Sequence, residues 1–247
     1  MILKWGSNGS SDLTRTDRPS RGMVKAVSIV PRPAGYFSGE ADARVEVGPM
    51  GRGRMTIALY NSYDPVRLAE AHRRALARAA PVAQAWDCNV AAMGFPFDRE
   101  LRTPLEVAEW LATTTSIGGE GEALLDLARK NRFLVLELPK KGFPPQLGEV
   151  VATTSKPQEG HAVDPGWAAE ELSRGRSLCL VFGLGPHGLP KDVIGPCEHQ
   201  LDVTRRRVAL ETCTALGAVP AAIGEALLGL DVAAGRPSPK GAVRPPR

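Results

Sequence analysis

The stretch from Leu178 to Gly188 constrains the fold more than any other part of the chain. It begins with the apolar run from Leu178 to Phe182, whose short length, β-branched and aromatic content and terminal glycine are typical of a buried strand. The run leads directly into the loop Gly183-Leu-Gly-Pro-His-Gly188. Glycines in such a loop allow a sharp turn and a close approach of backbone N–H groups to a ligand. We therefore expect a core strand that ends in one wall of a binding site.

The same loop matches the G-x-G-x-x-G pattern of dinucleotide-binding proteins. Such a site requires a helix that begins at the loop, and then a crossover of at least about a dozen residues to the next parallel strand. Here residues 189–198 separate the loop from the next predicted strand, and they contain Pro190, Gly195 and Pro196. A Rossmann-type oxidoreductase is therefore disfavoured, whereas a plain turn between two core strands stays a second interpretation.

A long helix is predicted near the carboxyl terminus. A short strand from about His199 to Val203 precedes it, and Arg205, Arg206 and Arg207 lead into it. Apolar or small residues follow helical spacing at Ala209, Cys213, Leu216, Pro220, Ile223 and Leu227. We expect Pro220 to kink this helix or to divide it, because proline removes a backbone donor and its ring disturbs the preceding turn.

Earlier in the chain, short apolar runs alternate with helical patterns. Strands are predicted near residues 55–60, 90–95, 133–138 and 150–156. The first helix is predicted to start at Asp64, as N-cap, and Pro65, and to run to about Ala79, with His72 in a structural role. The alternation predicts an α/β fold with a mostly parallel sheet flanked by helices.

The chain has 247 residues, of which 43% are hydrophobic, so it can bury one sizeable core. We assign residues 55–231 to one α/β domain, residues 1–54 to a partly flexible N-terminal extension and residues 232–247 to a basic, disordered tail. No apolar run approaches the roughly 20 residues of a membrane span, and the N-terminus lacks a signal-peptide pattern. A cytoplasmic protein without a membrane partner is expected.

Neither the net charge nor the cysteines alone exclude many classes of function. The net charge of +4 and a pI near 9.0 permit an anionic partner without requiring one. Cys179 and Cys213 lie in apolar segments and are predicted core residues. Cys197, His199, His187 and Cys213 include zinc-ligand types, but their spacing matches no common structural zinc pattern, so no metal is predicted.

Several motifs resemble those of the SPOUT RNA methyltransferases. They are V-F-G-x-x-x-x-G-L-P from Val181, the short strand from about His199, and the helix opening V-A-L-E-T-C-T-A from Val208. The match is closer still to an archaeal family known as a domain of unknown function (number 531), through GLGPHGLPK, LETCTALGAVPA, TTSKP and LYNSYDP. The resemblance implies a C-terminal SPOUT-type trefoil knot, S-adenosylmethionine as the cofactor, RNA (tRNA or rRNA) as the partner, and a homodimer.

The resemblance also implies site residues, because three loops would converge on the cofactor. The implied cofactor-binding residues are Thr153, Thr154, Ser155, Phe182, Gly183, Leu184, Gly185, Gly188, Leu189, Leu201, Val203, Leu210 and Thr212. The implied substrate-binding residues are Lys156, Arg205, Arg206 and Arg207.

The catalytic group is left open. His187 could titrate near neutral pH or hydrogen-bond a backbone carbonyl, and Glu211 could hold an acceptor amino group or cap the helix. Many SPOUT proteins carry an arginine in the loop where this chain has Lys156. A SPOUT-like RNA-binding protein without catalytic activity is therefore the alternative to a methyltransferase.

Overall fold

A seven-stranded sheet forms the centre of the protein. The computed structural model describes residues 51–114, 120–140 and 142–236. The strands are β1 Met55–Tyr60, β2 Asn89–Met93, β3 Phe133–Leu136, β4 Glu149–Thr153, β5 Ala162–Val163, β6 Leu178–Gly183 and β7 His199–Leu201. Their order is β3-β2-β1-β6-β4-β7-β5, and every neighbouring pair is parallel. The predicted parallel α/β sheet is confirmed.

The described helices are α1 Glu70–Ala85, α2 Pro104–Thr114, α3 Glu120–Arg129, α4 Pro165–Ser173, α5 Lys191–Ile194 and α6 Thr212–Ala233. The prediction that α1 starts at Asp64 is wrong. The Asp64 carboxylate accepts the Val66 and Arg67 N–H groups, at 2.8 and 3.0 Å, and closes a separate turn. The helix itself begins after Ala69, whose N–H donates to His72 Nδ1 at 3.0 Å.

The C-terminal helix α6 is continuous through Pro220, so of the two effects predicted for this proline the division is wrong, and the kink stays a prediction. It begins at Thr212 because Glu211 is its N-cap, and Ala209 therefore lies outside it. At its other end α6 includes Val232 and Ala233, which were assigned to the tail. Residues 234–236 of the tail follow the helix, whereas residues 237–247 of the tail and residues 1–50 of the N-terminal extension lie outside the described residues.

The two faces of the sheet are covered differently. The longer helices α1, α2, α3, α4 and α6 bury their apolar sides on one face, around core residues such as Ile57 and Leu180. The opposite face carries small residues, among them Cys179, and is covered by the 3-10 turn Pro145–Leu147, Leu189 and α5. Cys179 is fully buried, as predicted, whereas Cys213 is only half-buried. Coverage on both sides explains the continuous apolar runs of β1 and β6.

Helix α6 is the one helix among the described residues that is long and apolar enough to cross a membrane. It has 22 residues and a mean hydropathy of 1.6. Glu225 and Asp231 interrupt its apolar residues, so α6 is not a run of consecutive apolar residues, and the expected absence of a membrane partner stays a prediction. In this structure α6 packs against α4 and α1. A core helix of a soluble protein can have the same properties, so one such helix is weak evidence for a membrane.

Candidate functional site

A cavity of about 1130 Å³ lies at the carboxyl ends of β4, β6 and β7. In parallel sheets the carboxyl edge is the usual place for a ligand. Residues 153–156 and 158 form one wall, residues 182–189 a second, and residues 201–204 with 208–212 a third. All of the residues that the sequence predicted to bind a cofactor line this cavity, as do His187, Glu211 and Lys156.

The glycine loop is folded tightly on itself and on the loop after β1. A Cβ atom at Gly183 would lie 2.2 Å from the carbonyl carbon of Gly188, and one at Gly185 would lie 2.5 Å from the carbonyl oxygen of Ser62. Gly188 has a φ of +70°, which L side chains rarely adopt. The glycines are therefore required by close backbone packing at Gly183 and Gly185, and by conformation at Gly188.

Hydrogen bonds fix the three predicted walls to one another. Thr212 Oγ1, at the start of α6, donates to the Gly183 carbonyl at 3.0 Å. Thr153 Oγ1 donates to the Val181 carbonyl at 2.7 Å, and the Thr154 N–H donates to the Leu201 carbonyl at 3.0 Å. The cavity is thus held by bonds that connect β4, β6, β7 and α6.

The loop after β1 contributes residues that the sequence analysis missed. Ser62 Oγ donates to the Gly188 carbonyl at 2.8 Å and accepts the Gly185 N–H at 2.9 Å, so it ties the glycine loop at both ends. Tyr63, which is 52% exposed, lines the cavity beside it. The sequence did contain a signal for these residues, namely the polar run that directly follows a predicted parallel strand. The carboxyl ends of parallel strands share one edge of the sheet, so this run is expected beside the other loops.

Hydrogen bonds of Asn61 and His72 hold the loop after β1 in place. The buried Asn61 Nδ2 donates to the carbonyls of Asp64 and Gly94, at 2.7 and 2.8 Å, and its Oδ1 lies 2.9 Å from His72 Nε2. Because His72 Nδ1 accepts the Ala69 N–H, the neutral ring carries its proton on Nε2 and donates it to Asn61. The predicted structural role of His72 is confirmed. Burial lowers the pKa of His72 below its ordinary value.

We expect the folded state to lose stability as the pH falls below about 6.5, the pKa of histidine in an unfolded chain. The folded state keeps His72 neutral at a pH where the unfolded chain is already protonated, so protons favour unfolding in the window below 6.5. Urea unfolding between pH 5 and 7 measures this dependence. The variant His72→Gln, which keeps an amide donor, should show a flatter pH dependence. An equal slope in both proteins would contradict the prediction.

Gln200 on β7 joins two sides of the cavity and was not predicted. Its side chain is fully buried. Oε1 accepts the Gln158 N–H at 2.8 Å, and Nε2 lies within 3.3 Å of the carbonyls of Ile194 and Cys197. Gln158 and Ile194 both line the cavity. One amide thus positions the segment after β4 and helix α5 together.

The two catalytic candidates, Glu211 and His187, differ in their surroundings. Glu211 Oε2 accepts the N–H groups of Cys213 and Thr214, at 2.9 and 3.2 Å, so of its two proposed roles the structure shows helix capping. His187 is exposed at the rim and makes no hydrogen bond to a carbonyl within the described part of the chain. Lys156 is exposed on the same rim, where it is joined by Lys191, which the sequence analysis did not predict.

The arginines that follow β7 lie outside this cavity. Arg205 pairs with Asp164 at 3.2 Å, and Arg205 and Arg207 line a separate cleft of about 540 Å³. They therefore do not share the cavity with the predicted cofactor-binding residues, and their role in substrate binding stays a prediction. The reason is a tight turn at residues 202–207, which directs the chain away from the cavity before it returns at Val208.

The alternative sites proposed from the sequence fit less well. The first helix after the glycine loop is α5, which has four residues and begins at Lys191 instead of at the loop. This geometry does not fit a dinucleotide-binding crossover. The described residues contain no group of three or more His, Cys, Asp or Glu side chains that could hold a metal ion. Two of the residues considered for zinc have other contacts: His199 bonds Glu149 at 2.6 Å, and Cys197 Sγ donates to the Val193 carbonyl.

A protein-family model and one curated relative match most of the chain. The model, described as "Protein of unknown function (DUF531)", matches residues 55–224. The relative is the "Uncharacterized protein MJ0224" of Methanocaldococcus jannaschii, which is 47% identical over 170 residues. That alignment covers 69% of this chain and 93% of the relative.

Solved structures with a similar fold include methyltransferases. A probable methyltransferase from Bordetella pertussis Tohama I aligns with a TM-score of 0.51 and 15% identity, over 71% of this chain and 97% of that one. A probable methylase family protein from Haemophilus influenzae Rd KW20 aligns with a TM-score of 0.48 and 13% identity, over 74% and 70%. The Bordetella protein and this chain share a fold. The trefoil knot stays a prediction.

Proposed function

The chain belongs to the family described as "Protein of unknown function (DUF531)", and from this premise we propose that it is an S-adenosylmethionine-dependent RNA methyltransferase of SPOUT type, acting on tRNA or rRNA. The observation that carries the proposal is the convergence of the three predicted loops on one cavity at the carboxyl edge of the sheet. The fold shared with the Bordetella probable methyltransferase supports the same class.

The residues around the cavity fit this cofactor. Its volume is about 1130 Å³, enough for a nucleoside-sized ligand with room for an acceptor group. The buried or partly buried Phe182, Leu189, Leu201 and Val219 offer an apolar slot for an adenine ring. A ligand can approach the backbone at Gly188, where an added Cβ atom would meet nothing within 4 Å, whereas Gly183 and Gly185 serve the close packing of the loop.

S-adenosylmethionine would supply a methyl group on a positively charged sulfur, for transfer to an acceptor nucleophile that lies in line with the carbon–sulfur bond; S-adenosylhomocysteine would be the leaving group. The chain's task is to hold donor and acceptor in that line, and positioning alone can contribute several kcal/mol to lowering the barrier. Ser62, Thr153 and Thr212 keep the cavity walls rigid for this purpose. His187 at the rim is the group that could take a proton from a hydroxyl acceptor, whereas a ring nitrogen with a free lone pair needs no base.

We further propose that the protein is a cytoplasmic homodimer whose partner subunit covers the mouth of the cavity. Tyr63, Val208 and Leu210 line the cavity and are 52%, 53% and 36% exposed. A second subunit would remove these apolar side chains from water. Light scattering after size-exclusion chromatography should give twice the chain mass of 26.3 kDa. A monomeric mass at micromolar concentration would contradict the dimer.

Calorimetric titration tests the proposed function directly. We expect micromolar binding of S-adenosylmethionine and S-adenosylhomocysteine and no binding of NADH, followed by transfer of labelled methyl groups to RNA. A purified, folded protein that binds neither sulfur compound would refute the methyltransferase.

A non-catalytic RNA-binding protein is the second candidate. It is favoured because Glu211 is engaged in capping α6, and because the loop after β4 carries Lys156 where many SPOUT proteins have arginine. This candidate predicts that the protein binds RNA but transfers no methyl group to total RNA from the source cell. Binding of the cofactor does not distinguish it from a methyltransferase. Methyl transfer at a measurable rate would exclude it.

A further inference from the structure

The cleft of about 540 Å³ beside the cavity lies between α4 and the turn after β7. Its walls include Trp167 from α4, and Arg205 and Arg207 from the turn. Asp202 lines both the cleft and the larger cavity, so the two spaces adjoin. A ligand that extends out of the cavity could therefore continue into this cleft.

The turn after β7 is held by its own hydrogen bonds. The buried Asp202 carboxylate accepts the N–H groups of Thr204 and Arg207, at 3.0 and 2.8 Å, and the Thr204 hydroxyl at 2.6 Å. Thr204 Oγ1 in turn accepts the N–H groups of Arg206 and Val208. The backbone of the three arginines is thus fixed without help from their side chains, which leaves the guanidinium groups available for other contacts.

Two of these arginines adopt a backbone conformation that favours glycine. Arg205 and Arg207 have φ values of 54° and 57°. A non-glycine residue in this region is uncommon, and glycine or asparagine would be less strained. Arginine at both positions, in a turn already closed by Asp202 and Thr204, indicates that the side chains have a role of their own.

The charges of the turn are only partly compensated. Arg205 pairs with Asp164 at 3.2 Å, with both side chains at least half exposed. Arg206 and Arg207 are exposed and have no ion-pair partner within the described part of the chain. A guanidinium group is a good hydrogen-bond donor to a phosphate, and Arg207 presents such a group at the cleft, with Arg206 next to it in the turn.

Trp167 supplies a fixed aromatic wall. Its backbone N–H donates to the Asp164 N-cap at 2.8 Å, which places it in the first turn of α4. The indole ring contacts the His199 ring, with centroids 4.3 Å apart, and Glu149 holds that histidine at 2.6 Å. An aromatic ring of this kind, next to a basic groove, is the usual platform for an unstacked base of single-stranded RNA.

We propose that this cleft binds a nucleotide of single-stranded RNA next to the acceptor nucleotide, with its base against Trp167 and its phosphate at Arg206 and Arg207. The inference rests on the proposed function, because it treats the adjoining cavity as the place of the acceptor. It adds the form of the substrate: an unpaired segment instead of a duplex.

Fluorescence anisotropy with a labelled ten-nucleotide uridine RNA, and with a ten-base-pair RNA duplex, tests the proposal on the full chain. Arg206→Gln combined with Arg207→Asn removes both free charges, and asparagine tolerates the positive φ. We expect about tenfold weaker binding of the single strand, and a salt dependence whose logarithmic slope is smaller by about 0.7, the contribution of one lost phosphate contact. The control Arg129→Gln with Lys130→Gln removes the same charge at the end of α3.

Trp167→Leu should weaken single-strand binding about fivefold or more, and Trp167→Phe clearly less. Circular dichroism would confirm that each variant is folded, and the arginine variant tests the site independently of core packing. Equal losses in the α3 control, tighter binding of duplex than of single strand, or no RNA binding by the unaltered protein at low salt would each overturn the proposal. Affinity for S-adenosylmethionine is a separate readout: if the unaltered protein fails to bind it while RNA binding keeps the predicted pattern, the proposed function fails and the cleft stands.

Discussion

Replacing Gly183 by alanine is expected to abolish cofactor binding and to lower the free energy of unfolding by about 3 kcal/mol or more. The added Cβ would lie 2.2 Å from the Gly188 carbonyl carbon and 2.4 Å from the Leu189 nitrogen. Backbone atoms cannot rotate aside as a flexible side chain can, so the whole loop must shift. That shift would break the Thr212–Gly183 and Ser62–Gly188 hydrogen bonds. Urea unfolding and calorimetric titration with S-adenosylmethionine measure the two effects.

The same substitution in α6 serves as the control. A Cβ at Gly217 has no atom within 4 Å, outside the backbone of its own helix, among the contacts described. Gly217→Ala should therefore raise stability by about 0.5–1 kcal/mol, because alanine loses less backbone entropy in a helix. If Gly183→Ala binds the cofactor as tightly as the unaltered protein does, the tight packing of the loop is not what shapes the site.

Gln200→Leu is expected to lower the free energy of unfolding by about 3–5 kcal/mol and to weaken cofactor binding at least tenfold. Leucine has nearly the same size but leaves the Gln158 N–H and the carbonyls of Ile194 and Cys197 without their partner. Each such group costs about 1–3 kcal/mol when it stays buried. Cofactor binding should suffer because Gln158 and Ile194 line the cavity.

Gln146→Leu is the matched control, since Gln146 is exposed in the 3-10 turn before β4. A surface change of this kind should alter stability by no more than about 0.5 kcal/mol. If Gln200→Leu also changed the free energy of unfolding by no more than this amount, water would have replaced the lost hydrogen bonds. Gln200 would then not be what holds the two walls together.

The sheet and the three loops could be predicted because their signals are local. Apolar runs such as Leu178–Phe182 end at glycines or polar residues, and the parallel arrangement places these ends at one edge. The glycine motif that begins at Gly183 then indicated that a ligand binds at that edge. All predicted cofactor-binding residues do share one cavity, although which of them touch a cofactor stays a prediction.

The missed features depend on partners distant in the chain. Ser62 contacts residues more than 120 positions away, and Gln200 contacts Gln158, so neither role appears in any short window of sequence. The start of α1 was misplaced because Asp64 and Pro65 form a good N-terminal signal, which here closes a separate turn. The position of the arginines outside the cavity was not predicted, because Asp202 and Thr204 bend the chain through side-chain hydrogen bonds that carry no periodic pattern.

The position of β6 in the sheet has a consequence for how the chain folds. β6 lies between β1 and β4, and β4 pairs with no earlier strand. Until Leu178–Gly183 emerges from the ribosome, only β1, β2 and β3 can form their native ladder, and the edge of β1 stays open. Pairing across such sequence distances is slow, and an open strand edge favours aggregation. Joining of the two halves of the sheet and assembly of the cavity, which also needs residues 201–212, therefore both wait until most of the polypeptide has been synthesised.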